Sequence, residues 1–162
     1  MNTPNTLPPI LDFEASSLSD GSYPITAGLV INGEVNYWII KPQSDWIDWS
    51  LASQSIHGIK RSYLIKNGLS ASQVAEEIKL LLRNNPIVYS DNPYWESRWL
   101  RCLGEFDCEI RDIRELIATS LHASFSACFE HQFVVHQLTQ HRADHDAYAM
   151  YKAVSELLET SK

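Results

Sequence analysis

The sequence predicts a mixed α/β fold, in which helices cover one sheet, and three features carry that prediction. Asn32-Gly33 joins two β-type stretches, and this dipeptide is the strongest short signal for a hairpin. Further along the chain, apolar residues recur at helical spacing, and short apolar runs separate these helical stretches. Strands that alternate with helices in this way form a sheet with helices packed on it. We expect one domain over residues 1–162, a length that allows a sizeable core.

The first half of the chain is predicted to open with an antiparallel three-stranded meander. Residues 7–13 are apolar enough for a first strand, and residues 25–31 and 34–41 form the second and third. Residues 51–56 then indicate a short helix that ends at Gly58.

The second half alternates helices with short strands. Ser70 and Gln73 form an S-x-x-Q capping box ahead of apolar residues at helical spacing, which predicts a helix that ends before Pro86. Residues 129–140 carry no clear pattern. The other predicted elements are a strand at 86–90, a helix opened by Asn92-Pro93, a strand at 108–111, a helix through 113–121, and a closing helix with Ala147, Tyr151, Val154 and Leu158 on one stripe.

Charge and composition limit the functions that the chain can have. With 13 Lys and Arg against 20 Asp and Glu, the net charge is -7, whereas a protein that grips long nucleic acid carries a basic face. Any contact with nucleic acid should therefore be short and local, as at a chain end. The sequence has neither a membrane-spanning run nor a signal peptide, so we expect a cytoplasmic protein without membrane contact. The three cysteines lack C-x-x-C spacing, and we expect them to be reduced core residues.

The stretch Ile10-Leu11-Asp12-Phe13-Glu14 places two acids inside the first predicted strand. Side chains two residues apart share a face of a strand, so Asp12 and Glu14 would point together from an apolar sheet. Two carboxylates held together away from water repel each other unless a positive charge lies between them, and a divalent cation is the obvious candidate. The alternative is that the strand ends at Leu11 and that both acids lie in a solvated loop.

Acids and a histidine further along the chain supply candidates for the rest of such a site. Asp91 and Glu96 lie where a helix opens, and His141 and Asp146 lie where the last helix begins. Carboxylates from separate elements that meet at one end of a sheet are what a two-metal phosphodiester hydrolase needs. Five residues advance by roughly 500° around a helix, so His141 and Asp146 cannot share a helical face. We therefore place His141 on the preceding loop and Asp146 within the helix.

These residues carry a resemblance to a known family. Asp12-Phe13-Glu14 and His141-Arg142-Ala143-Asp144-His145-Asp146 resemble the D-x-E and H-x-A-x-x-D motifs of the DEDDh family of 3′-to-5′ exonucleases, the DnaQ-like group within the ribonuclease H fold. Ile56-His57-Gly58-Ile59 resembles an I/V-H-G-I segment common in that group, and the order of elements agrees along nearly the whole chain. One motif departs from the family pattern H-N-x-x-F-D-x-x-F-L, because Glu96 stands at the aspartate position and Asp91 at the histidine position.

The resemblance implies a ribonuclease H-like mixed sheet and a hydrolase that uses two divalent cations, Mg²⁺ or Mn²⁺. Such an enzyme would release nucleoside 5′-monophosphates from short single-stranded 3′ ends of DNA or RNA. The implied roles are metal binding by Asp12, Glu14, Asp146 and Glu96, with Asp91 as the alternative to Glu96, general-base action by His141, and substrate contacts from Ala15, Leu18 and His57. Leu18 could instead be a core or turn residue, and His57 a helix-terminal residue satisfied by carbonyls.

A second interpretation remains open at this point. The change at Glu96 and the acidic charge also fit a catalytically silent domain of the same fold that binds nucleic acid or protein. The resemblance further leaves open a homodimer and a polymerase partner. The sequence does not decide between DNA and RNA, because recognition of a 2′-hydroxyl depends on the geometry of the pocket.

Overall fold

A computed structural model describes residues 7–161, which contain one six-stranded sheet. Strands β1 (Ile10–Ala15), β2 (Pro24–Ile31) and β3 (Glu34–Lys41) form the antiparallel meander that the sequence predicts. The turn between β2 and β3 is Asn32-Gly33, with φ of 53° and 81°. These left-handed values explain why the turn uses this dipeptide, since most other residues adopt them at a cost.

Three shorter strands complete the sheet in the order β4-β3-β2-β1-β5-β6. Strand β4 (Leu69–Ser70) pairs parallel with β3, β5 (Ile87–Ser90) pairs parallel with β1, and β6 (Glu109–Asp112) pairs parallel with β5. The sheet is therefore mixed, with an antiparallel meander, parallel strands and helices packed against it, as the predicted α/β fold class requires.

The helices follow the predicted signals in most places. Ser70 caps α3, since its Oγ accepts the Gln73 N–H at 3.2 Å, although the Gln73 side chain donates to Glu77 rather than closing the capping box. Within residues 7–161, no helix has the length and apolar content needed to cross a membrane. The helices are α1 (Leu51–His57), α2 (Arg61–Asn67), α3 (Ala71–Leu82), α4 (Pro93–Leu103), α5 (His122–Val135) and α6 (Ala143–Thr160).

One predicted helix is wrong. Residues 113–121 form two short 3₁₀ turns, Ile113–Leu116 and Thr119–Leu121, and α5 begins only at His122. Asp112 caps the first turn, and the extended backbone of Ile117 interrupts the helix. The apolar spacing misled the prediction because a 3₁₀ turn has about three residues and places i and i+3 on one side, much as a helix does.

One further helix, one strand and the cysteines also differ from the predictions. Helix α2 and strand β4 were not predicted, and α2 buries only Leu64. Cys102, Cys108 and Cys128 are free thiols, but they are half-buried instead of lying in the core.

Alternation along β1 decides which side of the sheet the site occupies. Leu11 and Phe13 lie in the core beneath α3 and α4, whereas Ile10 packs with Met150 of α6 on the opposite face. Because side chains alternate along a strand, Asp12 and Glu14 share the face of Ile10. The two acids therefore point toward the side of the sheet on which α6 lies.

Candidate active site

The two acids of β1 lie in regular strand structure. Asp12 pairs with Gly28 of β2 and is 8% exposed, and the half-buried Glu14 pairs with Thr26. The alternative of a strand that ends at Leu11 is therefore wrong. The register shifts just after Glu14, and irregularities of this kind often end a ladder and re-aim side chains beside functional sites.

Gly28 lets the start of α6 lie directly on the sheet. A Cβ added at this position would overlap the backbone carbonyl of Ala143 and the amide of Asp144. Only glycine allows so close an approach. Since Gly28 is the partner of Asp12, the same contact brings the first turns of α6, and with them Asp146, next to the acids of β1.

His141 precedes α6 and Asp146 lies inside it, as the sequence predicts. His141 has φ of +57°, an unusual value outside glycine that tends to occur at functional sites. Its backbone N–H donates to Asp146 Oδ2 at 3.0 Å, which ties the turn to the helix. Ligand atoms of Glu14, His141 and Asp146 all lie within 4.8 Å of one another.

Glu96 reaches the same place from α4, on the other face of the sheet. It lies in the first turn of that helix and is 3% exposed. Pairing between β1 and β5 is limited to the register of Ile10 and Tyr89, so the edge of β1 near Phe13 is free to receive the glutamate. The Phe13 N–H bonds to the Glu96 carboxylate. This bond acts to lower the pKa of Glu96, although burial and nearby acids raise that pKa overall.

The environment favours the protonated form of each of these four acids. Burial is the largest cause in every case, and neighbouring carboxylates add to it. The pKa of Glu14 rises to about 8 and that of Asp146 to about 7, while the pKa values of Asp12 and Glu96 lie well above their ordinary values. Four acids in this arrangement repel one another whenever they are ionised together.

Three carboxylate oxygens in the cluster are buried and have no hydrogen-bond partner among residues 7–161. They are Asp12 Oδ2, Glu96 Oε2 and Asp146 Oδ1, from β1, α4 and α6 respectively. Buried polar atoms are nearly always paired, so each of these exceptions calls for an explanation. Hard cations such as Mg²⁺ and Mn²⁺ take carboxylate oxygens as ligands, and the donor set therefore fits such ions.

Asp91 follows β5 and lies at the surface. Its charge raises the pKa of all four clustered acids, so it is near enough to act on the site. The side chain with an unpaired, buried oxygen is nevertheless Glu96, which makes Glu96 the better-placed candidate of the two.

A cavity of about 220 Å³ opens beside Glu14 and His141 and brings together the three predicted substrate contacts. Leu18 is 67% exposed, so the alternative of a core role is wrong, whereas its position in a bend after β1 agrees with the alternative of a turn residue. Ala15 and His57 are the other two predicted contacts, and the remaining lining residues are Phe13, Ser17, Ser53, Ile56 and Trp99.

His57 stands between this cavity and a larger one. It ends α1, and its Nδ1 accepts the Ile59 N–H at 3.0 Å, so the proton of the neutral ring is on Nε2. Burial and the nearby His141 lower the pKa of His57, which favours that neutral ring. Nε2 is buried and has no partner in the described part of the chain, so the carbonyl-satisfied alternative is wrong. The second cavity, of about 530 Å³, lies beyond His57 and includes Tyr37, Tyr63 and Arg142.

Neither the role of Gly28 nor the second cavity was predicted from the sequence. A glycine inside the apolar run of β2 was a readable signal, because strand glycines mark close backbone approach. The second cavity joins residues of β2, β3, α1, α2 and the turn before α6, and no local pattern predicts that meeting.

Comparison with solved structures agrees with this fold. Exonuclease I of E. coli in complex with a dA16 oligonucleotide aligns at a TM-score of 0.69 and 17% identity, over 95% of this chain and 41% of that one. The zinc-bound form of the E. coli Exonuclease I–ssDNA complex aligns at 0.69 and 17%, over 95% and 40%. Exonuclease I from Methylocaldum szegediense aligns at 0.68 and 16%, also over 95% and 40%.

The chain thus has the ribonuclease H-like fold of the DnaQ-like exonuclease domain of Exonuclease I. It spans about two fifths of the length of those proteins. No family model matches the sequence, and no curated protein matches it.

Proposed function

We propose that this chain is a metal-dependent 3′-to-5′ exonuclease that removes nucleoside 5′-monophosphates from single-stranded ends. The observation that carries the proposal is the set of three buried, unpartnered carboxylate oxygens from β1, α4 and α6, with His141 beside them. The likeness in fold to Exonuclease I, whose structures include complexes with oligonucleotides, supports it.

In this proposal Asp12, Glu14, Glu96 and Asp146 hold two divalent cations, Mg²⁺ or Mn²⁺. The buried oxygens have the chemistry that such ions require, and positive charge would relieve the repulsion that raises the pKa values of the four acids. When bound, the cations supply Lewis-acid stabilisation of the charge that develops on the phosphate.

His141 acts as the general base in this scheme. Its imidazole is exposed, lies next to Glu14 and Asp146, and is positioned by a turn that its own N–H anchors to Asp146. A water would attack the terminal phosphodiester from the side opposite the leaving 3′-oxygen. This water would give its proton to the His141 ring. The short distance between His141 and the acids keeps the proton acceptor beside the reacting phosphate.

The cavity beside Glu14 receives the terminal nucleoside. Leu18 offers an apolar surface for the base, and the neutral ring of His57 lines the same cavity. Ala15 also lines this cavity, and the register shift just before it makes the end of β1 irregular. A cavity of about 220 Å³ suits one nucleoside more than a duplex, which agrees with a chain whose net charge is -7.

The test uses 5′-labelled DNA and RNA oligonucleotides, with Mn²⁺ or with EDTA. Wild-type protein should shorten them from the 3′ end only when metal is present, and Asp12→Ala should lower the rate by more than about 100-fold, because even residues that merely support metal ligands are worth 10–100-fold. The matched control is Asp45→Ala, since Asp45 is an exposed acid outside the cluster. Cleavage that persists in EDTA, or in Asp12→Ala, would contradict the proposal.

The second candidate is a silent domain that binds nucleic acid or protein. Glu96 favours it, because this side chain differs from the aspartate of the resembling motif. Titration calorimetry with Mn²⁺ separates the two candidates: a silent domain gives no binding heat that depends on Asp12 and no cleavage, whereas the exonuclease gives both.

A further inference from the structure

The carboxylate of Asp48 is hydrogen-bonded to the loop that carries Leu18, which we call the Leu18 loop (residues 16–22). Asp48 lies between β3 and α1 and accepts three serine hydroxyls of this loop. Ser16 Oγ and Ser17 Oγ each donate to Asp48 Oδ2 at 2.7 Å, and Ser19 Oγ donates to Oδ1 at 2.8 Å. Hydrogen bonds to an ionised carboxylate are shorter and stronger than neutral ones, so Asp48 holds the Leu18 loop at three points.

The segment that contains Asp48 also anchors helix α1. The Ser50 Oγ caps α1 by accepting the Ser53 N–H at 3.2 Å, while the Ser50 N–H donates to the Ser16 carbonyl at 3.0 Å. The Leu18 loop and α1 each supply a wall of the 220 Å³ cavity, with Leu18 contributed by the loop and His57 by α1. A single short segment therefore connects both walls.

Helix α4 holds the far side of the Leu18 loop. Arg98 Nη2 donates to the Asp20 carbonyl at 3.1 Å, and Trp99 Nε1 donates to Ser22 Oγ at 3.0 Å. The contacts from α4 fix the end of the loop, whereas Asp48 fixes its beginning, next to Leu18. Leu18 is thus largely exposed, while hydrogen bonds fix the residues on both sides of it. This arrangement leaves the Leu18 side chain available to a ligand.

We propose that Asp48 is a positioning residue, which fixes the Leu18 loop against α1 and so sets the width of the cavity that receives the terminal nucleoside. The identity of that ligand rests on the proposed function. A wall ordered before binding saves the entropy that ordering would otherwise cost when the ligand arrives. Partial burial alone would raise the pKa of Asp48, but the three serine hydroxyls lower it, so the carboxylate stays ionised near neutral pH.

The kinetic test compares Asp48→Ala with Asp45→Ala, which changes an exposed aspartate three residues earlier. Asp48→Ala should raise KM for short oligonucleotides roughly 10-fold and change kcat by less than about 2-fold, because Asp48 does not touch the reacting atoms. Asp48→Asn should fall between wild type and Asp48→Ala, since the amide keeps one acceptor oxygen. Asp45→Ala should match wild type in both constants.

Hydrogen–deuterium exchange gives a second measurement that does not depend on cleavage. Asp48→Ala should speed exchange in peptides covering residues 16–22 about 10-fold and leave β2 and α6 unchanged, whereas Asp45→Ala should not. If Asp48→Ala does not fold, Asp48→Asn takes its place in both measurements.

The outcomes separate this inference from the proposed function. Wild-type cleavage with an unchanged KM in the Asp48 variants overturns only the positioning role, as does a Leu18 loop whose exchange is unaffected. An equal fall in kcat and kcat/KM with no change in KM also overturns it, because the residue would then act on the chemical step. A wild-type protein that cleaves no oligonucleotide overturns the proposed function, and the exchange result then decides by itself whether Asp48 positions the Leu18 loop.

Discussion

Glu96 is the residue at which metal binding and stability oppose each other. Without metal, its carboxylate is buried, and its pKa is raised by burial first and by the charges of Asp91 and Glu14 second. We expect Glu96→Gln to increase the free energy of unfolding in EDTA at pH 9 by about 1–3 kcal/mol, since an unpaired buried carboxylate is replaced by a neutral amide. The same change should abolish most of the stabilisation that Mn²⁺ gives. Thermal melts with and without Mn²⁺ measure both effects.

The control for this prediction is Glu105→Gln, which makes the same chemical change at an exposed glutamate. The difference between Glu96→Gln and wild type in EDTA should also shrink at pH 5, because the glutamate is then protonated. A Glu96→Gln protein that is less stable than wild type at pH 9, with a full response to Mn²⁺, would contradict a role for Glu96 as a ligand.

At the scale of elements, the contact between β2 and α6 decides whether the acids meet. In Gly28→Ala the new methyl would overlap the backbone at Ala143 and Asp144, so α6 must move away from the sheet. We expect a loss of about 1–3 kcal/mol in the free energy of unfolding, as for other overpacked sites, and a loss of at least about 10-fold in Mn²⁺ affinity, because Asp146 moves with the helix. Gly21→Ala is the control, since its Cβ would have neighbours no closer than 3.8 Å.

Elements with their own local signals were predicted from the sequence, and elements that depend on distant contacts were not. The Asn32-Gly33 turn and the cap at Ser70 each specify a boundary locally. Helix α2 was missed because Leu64 is its one buried residue, and β4 has only two residues that pair with β3. Such elements exist because the rest of the fold provides a surface for them, and a single sequence does not display that surface.

The same distinction applies to the site. The order of the D-x-E and H-x-A-x-x-D motifs was enough to place Asp12, Glu14 and Asp146 on their elements. The entry of Glu96 past the free edge of β1 depends on how little of β1 pairs with β5, which no motif encodes. The bonds between Asp48 and the serines join residues about 30 apart in sequence, and only the folded chain brings them together.

For the whole molecule, the acid cluster makes stability depend on pH in a direction opposite to ordinary acid denaturation. The pKa of Glu14 rises from 4.5 to about 8 and that of Asp146 from 3.8 to about 7, so the folded protein binds more protons than the unfolded chain between these values. Stability from these groups is therefore complete below about pH 4 and is lost as pH rises through 7 to 8. In EDTA, we expect the melting temperature to fall by about 5 °C or more between pH 5.5 and pH 8.5.

Divalent metal should reverse this trend. Cations compete with protons for the same carboxylates, so Mn²⁺ affinity rises with pH. The stabilisation by metal is therefore largest at high pH, where the metal-free protein is least stable. Melting temperatures measured from pH 5.5 to 8.5 in EDTA and in excess Mn²⁺ should diverge as pH increases. In Asp12→Asn the two curves should lie close together, because one buried carboxylate and its share of the repulsion are gone. Parallel curves for the wild-type protein would mean that protons and Mn²⁺ do not compete for the four acids. That result would contradict metal binding by this cluster.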